Sequence, residues 1–279
     1  MSVRLPAPAD IVGAAPAIVA PELAEVHAVL EGRRRWAVTL GDALDLLPKL
    51  PRGCCHLLIA DMPYSSGGAT RAERAKSGRA KYSKDKGSLD ISEDSRDQRQ
   101  WIAWCGEWLR LAAPALVPGS LVAAFVDWRQ IGALELAFGL SPIVHRGTCP
   151  WWKHTGRPQK GRPRQDCEFI VWGTYGKRAL EGPVLPGHYD ATLPSSERDM
   201  FCSKPEALMT DLARWAPENG VVLDPFAGTG STAAGALLAG RRAITFDIGA
   251  DKVAHATKRL EALERGETKA RPPRRRRSP

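Results

Sequence analysis

Two short runs in this 279-residue chain carry residue types that can do chemistry. The first is Asp61-Met62-Pro63-Tyr64, directly after the apolar run of residues 56–60. A carboxylate at the carboxyl end of a buried strand stands where open α/β sheets collect their ligands. Taken alone, Asp-x-Pro-Tyr is also an ordinary turn sequence. The second run is Asp224-Pro225-Phe226-Ala227-Gly228-Thr229-Gly230-Ser231-Thr232, after the apolar residues 221–223 and ahead of a helical pattern. Glycine takes a positive φ without Cβ strain and lets the backbone approach a ligand closely. The helix start then offers unpaired N–H groups and a positive dipole end to an anionic group. Asp247 closes the next apolar run, and a carboxylate there grips ribose hydroxyls in nucleoside-binding sheets. Gly228-x-Gly230-x-x-Ala233 also fits a dinucleotide fingerprint, so this run by itself leaves the nucleoside ligand open.

The elements that must position these runs alternate along the chain. Residues 21–34 read as an amphipathic helix, 36–40 as a strand, 43–50 as a helix, and 56–60 as a buried parallel strand. Trp101, Trp104, Trp108 and Leu111 recur at helical spacing, a core-facing stripe rather than a base-stacking surface. Further strands are predicted at 121–126, 142–148, 168–172, 221–223 and 243–246, with helices at 131–138, 205–215, after Gly230 and at 252–263. Such alternation predicts a mostly parallel sheet with helices on both faces.

Composition narrows the class. With 43% hydrophobic and 25% charged residues the chain is globular, and it has no apolar stretch near the roughly 20 residues of a membrane span. The first twenty residues lack the pattern of a signal peptide. The six cysteines form no C-x-x-C pair and read as reduced cytosolic thiols; His145, Cys149, His154 and Cys167 fit no standard zinc framework, so no metal is expected. Net charge is +9, of which Lys269, Arg271 and Arg274 to Arg277 supply six, leaving 9 − 6 = +3 elsewhere. Two basic stretches interrupt the alternation. Residues 71–88 hold seven Lys and Arg against Glu73 and Asp85, and residues 146–164 hold six with no acid, interleaved with Trp151 and Trp152. Basic side chains beside exposed aromatics suit a surface that tracks a nucleic-acid backbone.

Taken together and in this order, the two runs resemble the amino-directed DNA methyltransferases of the beta group. That family has an acceptor motif Asp/Asn/Ser-Pro-Pro-Tyr/Phe and a cofactor motif Asp-x-Phe-x-Gly-x-Gly. Here the acceptor run precedes the cofactor run, the circularly permuted order. Gly41-Asp42-Ala43-Leu44, Ser203-Lys204-Pro205 and Gly240-Arg241-Arg242 fall where that group has its remaining pieces. The likeness runs from about residue 35 to 265, with the middle matched only by Trp152-Lys153 and residues 168–172. It departs at Met62, which replaces the first proline and so gives up that ring's fixed φ.

The resemblance implies a Rossmann-like class I methyltransferase fold with a mixed, mostly parallel seven-stranded sheet. With the composition at the two ends, the chain divides into an N-terminal extension and helix over 1–33, a catalytic domain over 34–266 and a basic disordered tail over 267–279. Within the domain lie a basic insertion at 71–100 and a target-recognition region at 145–200. The cofactor would be S-adenosylmethionine and the substrate double-stranded DNA, methylated at an exocyclic amine, with adenine N6 ahead of cytosine N4. Asp61 and the Met62 carbonyl would accept hydrogen bonds from the amine, Tyr64 would stack on the flipped base, and Pro63 would hold that ring. Asp224, Phe226, Gly228 and Gly230 would line the methionine end, Lys204 its carboxylate, Asp247 the ribose and Asp42 the adenine amine. Asp61, Ala43, Pro225, Ser231 and Thr232 complete the expected cofactor set. The setting would be cytoplasmic and nucleoid-associated, without membrane; a homodimer and a cognate restriction endonuclease are further expected partners that no residue pattern demonstrates. A nicotinamide oxidoreductase would need a second βαβ half, and only about thirty residues follow Asp247. A DNA-binding module with a relic cofactor pocket, and a methyltransferase of RNA or small molecules, are the remaining alternatives.

Overall fold

The computed structural model describes residues 21–65, 96–156, 160–180, 182–194 and 203–267. Eight strands form one sheet among these residues: β1 (Trp36–Leu40), β2 (Cys55–Ala60), β3 (Leu116–Val126), β4 (Ile143–Trp152), β5 (Cys167–Tyr175), β6 (Tyr189–Asp190), β7 (Val221–Asp224) and β8 (Arg242–Asp247). Their spatial order is β1-β8-β7-β2-β3-β5-β4-β6. The neighbours from β1 to β3 all pair parallel, and β5 alone runs antiparallel, against both β3 and β4. The predicted mixed, mostly parallel sheet is therefore present, with eight strands rather than seven. The additional strand, β6, is two residues long and pairs with the end of β4. Two residues have no periodicity to read.

Helices α1 (Ala24–Leu30), α2 (Ala43–Leu46), α3 (Gln98–Ala112) and α4 (Ile131–Gly139) cover one face. Helices α5 (Glu206–Ala213), α6 (Ser231–Leu238) and α7 (Ala250–Glu264) cover the other. The strands between them are buried on both faces, and their side chains alternate between the two cores. Leu58, Ala60, Val122 and Ala124 join the α1–α4 side, while Leu57, Ile59, Leu121, Ala123 and Phe125 join the α5–α7 side. This period of two is the pleat itself.

Helix α3 shows how local sequence sets an element. Asp97 caps it by accepting from Gln100 N at 2.9 Å, and Gln100 Oε1 accepts from Asp97 N at 3.3 Å, a capping box. Trp101, Cys105, Trp108, Leu109 and Ala112 then bury one stripe, as the spacing predicts, with Trp104 and Leu111 packed partly exposed at its margin. On the opposite face, α5 and α6 approach closely because Gly235 has no side chain; a Cβ there would lie 2.5 Å from the Met209 carbonyl carbon.

The basic stretch at 71–88, the first twenty residues and the charged run from Lys269 lie outside the described residues. The second basic stretch is only partly a loop. Strand β4 runs on to Trp152, and Trp151 is buried with its Nε1 donating to the Ala191 carbonyl at 2.8 Å, so the expectation that both tryptophans are exposed holds for Trp152 alone.

Candidate active site

Chain direction across the sheet reverses at the β7–β2 junction. From β7 the chain proceeds through α6 to β8 on one side, and from β2 through α3 to β3 on the other. Crossovers departing in opposite directions leave a crevice beyond the carboxyl ends of these two strands. Both sequence runs open into it. Leu57 and Leu58 pair with Val222 and Leu223, which places Asp61 just past one strand end and Asp224 at the other. Asp247 ends β8, and Gly41-Asp42 follows β1, along the same edge of the sheet.

On the β7 side, the turn after Asp224 is built by its own residues. Asp224 Oδ1 accepts from Phe226 N at 2.8 Å, and its carboxyl also bonds the Thr232 side chain. Gly228 and Gly230 have φ of +50° and +76°, the left-handed region that glycine tolerates. A Cβ on Gly230 would come 3.0 Å from Ala256 Cβ of α7. No side-chain hydrogen bond caps α6, which starts directly after Gly230 of this turn. Asp247 ties the turn to β8, its Oδ2 accepting from Gly228 N and its Oδ1 from Gly249 N, each at 2.9 Å. A carboxylate has about four lone-pair positions, so acceptor capacity remains for ribose hydroxyls. Burial raises the Asp224 carboxyl to about 7, against its two hydrogen bonds, and the negative charges of Asp61 and Asp247 add to the rise.

Several expected cofactor residues serve the turn's architecture through their side chains. Phe226 packs on Trp104 and Trp108, with centroids 5.3 and 5.4 Å away. Ser231 and Thr232 are buried; Ser231 Oγ accepts from Arg259 of α7 at 3.1 Å. Ala43 is buried in α2, and Pro225 is buried in the turn. Asp42 is exposed and caps α2, accepting from Leu44 N at 2.9 Å. Two residues that sequence reasoning missed stand beside Asp247: Leu40 and Ile248 are 51% and 49% exposed at the ends of β1 and β8. An apolar side chain left in solvent at a ligand-binding edge suits a flat ring, but a single Leu or Ile after a strand carries no sequence signal.

On the β2 side, Lys204 is 5% exposed, and its Nζ donates to both oxygens of Asp61, at 2.7 and 2.6 Å. The Tyr64 hydroxyl lies 2.9 Å from Asp61 Oδ1 and 3.1 Å from Glu168 Oε2. Lys153 donates to Glu168 Oε1 at 2.7 Å, and Lys204 Nζ lies 3.6 Å from Glu168 Oε2. Two carboxylates thus face two ammonium groups around one phenol. The loop carrying Asp61 and Tyr64 is held from α3 and from just ahead of α4. Trp101 Nε1 donates to the Pro63 carbonyl and Gln130 Nε2 to the Tyr64 carbonyl, both at 2.8 Å. Met62 is buried in the α1–α4 core, so the residue replacing proline anchors the loop by packing.

Burial pushes the Asp61 carboxyl up, while Lys204 pulls it down; the net direction is upward. For Glu168 burial again acts upward, but Lys204 and Lys153 outweigh it and hold the carboxyl below its ordinary value. Lys204, expected at the cofactor, is placed here against Asp61 and Glu168. Glu168 and Lys153 were visible in sequence only as faint matches in the middle region, Glu168 as one acid in an otherwise apolar strand.

A family model described as DNA methylase matches residues 55–258. The chain is 24% identical over 252 residues to the type II methyltransferase M2.DpnII of Streptococcus pneumoniae, covering 82% of this chain and 91% of that protein. Among solved structures, the fold is similar to the M1.HpyAVI–SAM complex (TM-score 0.57, 19% identity, 81% of this chain and all of that one). It is also similar to the cytosine-N4-specific PvuII DNA methyltransferase (TM-score 0.62, 13% identity, 81% of this chain and 86% of that one).

Proposed function

The chain belongs to the N6/N4 DNA methylase family, and from that premise we propose that it methylates adenine N6 in double-stranded DNA with S-adenosylmethionine as donor. The observation that carries this reading is the meeting of Asp61 and Asp224 across one crevice. The residues there suit the donor's chemistry. A turn with two left-handed glycines, nearly open beside Gly228, a helix start without a side-chain cap, an acid with acceptor capacity left and two exposed apolar side chains match a molecule with a carboxylate, a ribose and a flat base. When bound, S-adenosylmethionine supplies a methyl group on a positively charged sulfur.

The chain's own residues then do two things. Asp224, Gly228, Gly230 and Asp247 would hold the donor, with Asp42 reaching the adenine amine. Lys204 would reach the methionine carboxylate only by giving up a contact to Asp61. On the other side, Asp61 and the Met62 carbonyl would accept the two amine hydrogens, which localises the nitrogen lone pair for attack on the methyl carbon. Bound there, the donor would supply its methyl group to that nitrogen, and the amine would afterwards give up its extra proton to solvent. Holding nitrogen and methyl in line is the main contribution. Such a base must first leave the stack, and Tyr64 would receive it. Residues 145–200 would form the target-recognition region, with Trp152 its exposed aromatic. The Asp that heads the acceptor motif favours adenine, since Ser is commoner in cytosine-N4 members.

The test is transfer from labelled S-adenosylmethionine to unmodified DNA, followed by digestion and mass analysis of nucleosides, with Asp61→Ala alongside. N6-methyladenine from the wild type alone is the expected result. N4-methylcytosine would overturn the base assignment, and retained donor with no methylated nucleoside would leave a binding module.

A further inference from the structure

We infer that Glu168, on β5 and outside both recognised motifs, is a positioning residue of the acceptor site: it takes over the Tyr64 hydroxyl, and draws on Lys204, when the base amine enters, so that Asp61 has lone pairs to offer. The inference rests on the methyltransferase reading and deepens it.

The argument begins with acceptor capacity. Asp61 Oδ1 accepts from both Lys204 and Tyr64, and Oδ2 accepts from Lys204. Three charge-assisted or polar contacts take three of its about four lone-pair positions, and the one left, on Oδ2, is the position beside the Lys204 ammonium. An amine entering at full hydrogen-bond geometry competes with these donors, and a donor leaving a buried carboxylate needs another acceptor or becomes costly. Glu168 Oε2 stands ready for both. The Tyr64 oxygen is already 3.1 Å from it, so changing acceptor needs only rotation of the O–H bond. One phenolic hydrogen cannot serve two ionised carboxylates at once, so the hydroxyl stands at a branch point. Lys204 Nζ needs to close from 3.6 Å to the about 2.8 Å of a charge-assisted bond. Glu168 is itself fixed from behind, because Lys153 binds its other oxygen at 2.7 Å. That lysine continues β4, its N–H donating to the Asp166 carbonyl at 2.9 Å, and Glu168 is paired with Trp151 in the same ladder. The acceptor carboxylate is thus tied to the strand pair of the proposed recognition region.

The charges around Asp61 define a readout. Facing it are Lys204 from the segment before α5, Glu168 from β5 with Lys153 behind it, Tyr64 from its own loop, and Asp224 from β7. Glu168's negative charge is one of the influences that raise the Asp61 carboxyl. Asp61 must be ionised to accept from the amine, so activity falls as pH drops through its titration. Glu168→Gln removes that charge and moves the acid limb of kcat to lower pH. With the alternate anionic acceptor gone, Lys204 and Tyr64 stay on Asp61, and kcat falls about 10- to 100-fold, the scale of a misplaced reacting group.

The experiment measures kcat against pH for wild type, Glu168→Gln and Glu168→Asp on DNA that the wild type methylates, with donor affinity measured by calorimetry. The expected result is a lowered kcat and displaced acid limb in Glu168→Gln, donor affinity within about twofold of wild type, and the limb restored in Glu168→Asp. Unchanged kcat and limb in Glu168→Gln overturn the inference while leaving the methyltransferase reading intact. So does a loss confined to donor affinity. A wild type that methylates no DNA overturns both. Should Glu168→Gln fail to fold, Lys153→Met carries the test, because unbalancing Glu168 moves the limb to higher pH; an unmoved limb there overturns the inference too.

Discussion

Asp224 shows how burial changes the proton affinity of an ordinary side chain. Its carboxyl rises to about 7, from 3.8, chiefly because it is buried. A carboxyl whose folded value exceeds its unfolded value stabilises the fold fully below the unfolded value, and loses that stabilisation as pH rises through the folded one. At about 1.4 kcal/mol per pH unit, stability without a ligand should fall by on the order of 3–4 kcal/mol between about pH 4 and pH 7 from this group. A cationic ligand group nearby would favour the ionised form. S-adenosylmethionine affinity is therefore expected to rise with pH up to about 7 and level off above it, which calorimetry across pH 5.5 to 8.5 would read. In Asp224→Asn the dependence should flatten and affinity at high pH should fall at least tenfold, while thermal stability at pH 8 without donor rises. Sequence showed this aspartate and its place in a motif. Its raised carboxyl comes from burial in the assembled sheet, with smaller contributions from Asp61 and Asp247, which arrive from different strands.

Elements hold the site by close approach. Helix α6, which follows the glycine turn, is pressed on α5 at Gly235, where a Cβ would meet Met209 and Thr210 backbone at 2.5–2.7 Å. Backbone on the far side cannot yield as a flexible side chain would. Gly235→Ala should destabilise the protein by about 1–3 kcal/mol, the usual cost of overpacking, and weaken donor binding by shifting the turn. Gly132 in α4 is the matched control, since a Cβ there meets nothing within 4 Å. Gly132→Ala should leave the melting temperature unchanged or slightly raised, as helix propensity dictates. Gly230→Ala combines strained φ with the Ala256 contact, and is expected to cost donor affinity even where the fold survives. Differential scanning calorimetry with and without donor separates these three outcomes.

At the scale of the whole molecule, charge governs the approach to DNA. Six of the nine net positive charges belong to Lys269, Arg271 and Arg274 to Arg277. Counterion release gives a slope of about −0.9 in log affinity against log salt for each phosphate neutralised on duplex DNA. Removing residues 268–279 should reduce the magnitude of that slope by roughly 2 to 5 and weaken binding similarly for any DNA sequence. Turnover at saturating DNA and low salt should stay within about twofold, because the proposed readout and chemistry lie outside these residues. Fluorescence anisotropy over 50 to 250 mM salt measures the slope; an unchanged slope would exclude these charges from DNA contact.

Strand and helix positions were legible because their signals are local. The alternating cores of β2 and β3, the stripe of α3 and the turn before α6 each follow from spacing within a few residues. The order of the two motifs likewise stood in the chain, with Asp61, Asp224 and Asp247 each at the end of an apolar run. Contacts between distant segments were not legible, since a hydrogen bond between Tyr64 and Glu168 spans 104 residues of chain and leaves no periodic trace. Lys204 stands 143 residues from Asp61, and only the packing of the segment before α5 against the ends of β2 and β3 decides that its ammonium reaches that carboxylate. Trp151 and Trp152 make the same point. Adjacent and identical in type, one is buried and the other exposed because β4 runs on through both, and the pleat sends neighbours to opposite faces. The chain by itself determined which groups could do the chemistry; the tertiary structure decided which of them meet, because register and burial are set by the whole sheet.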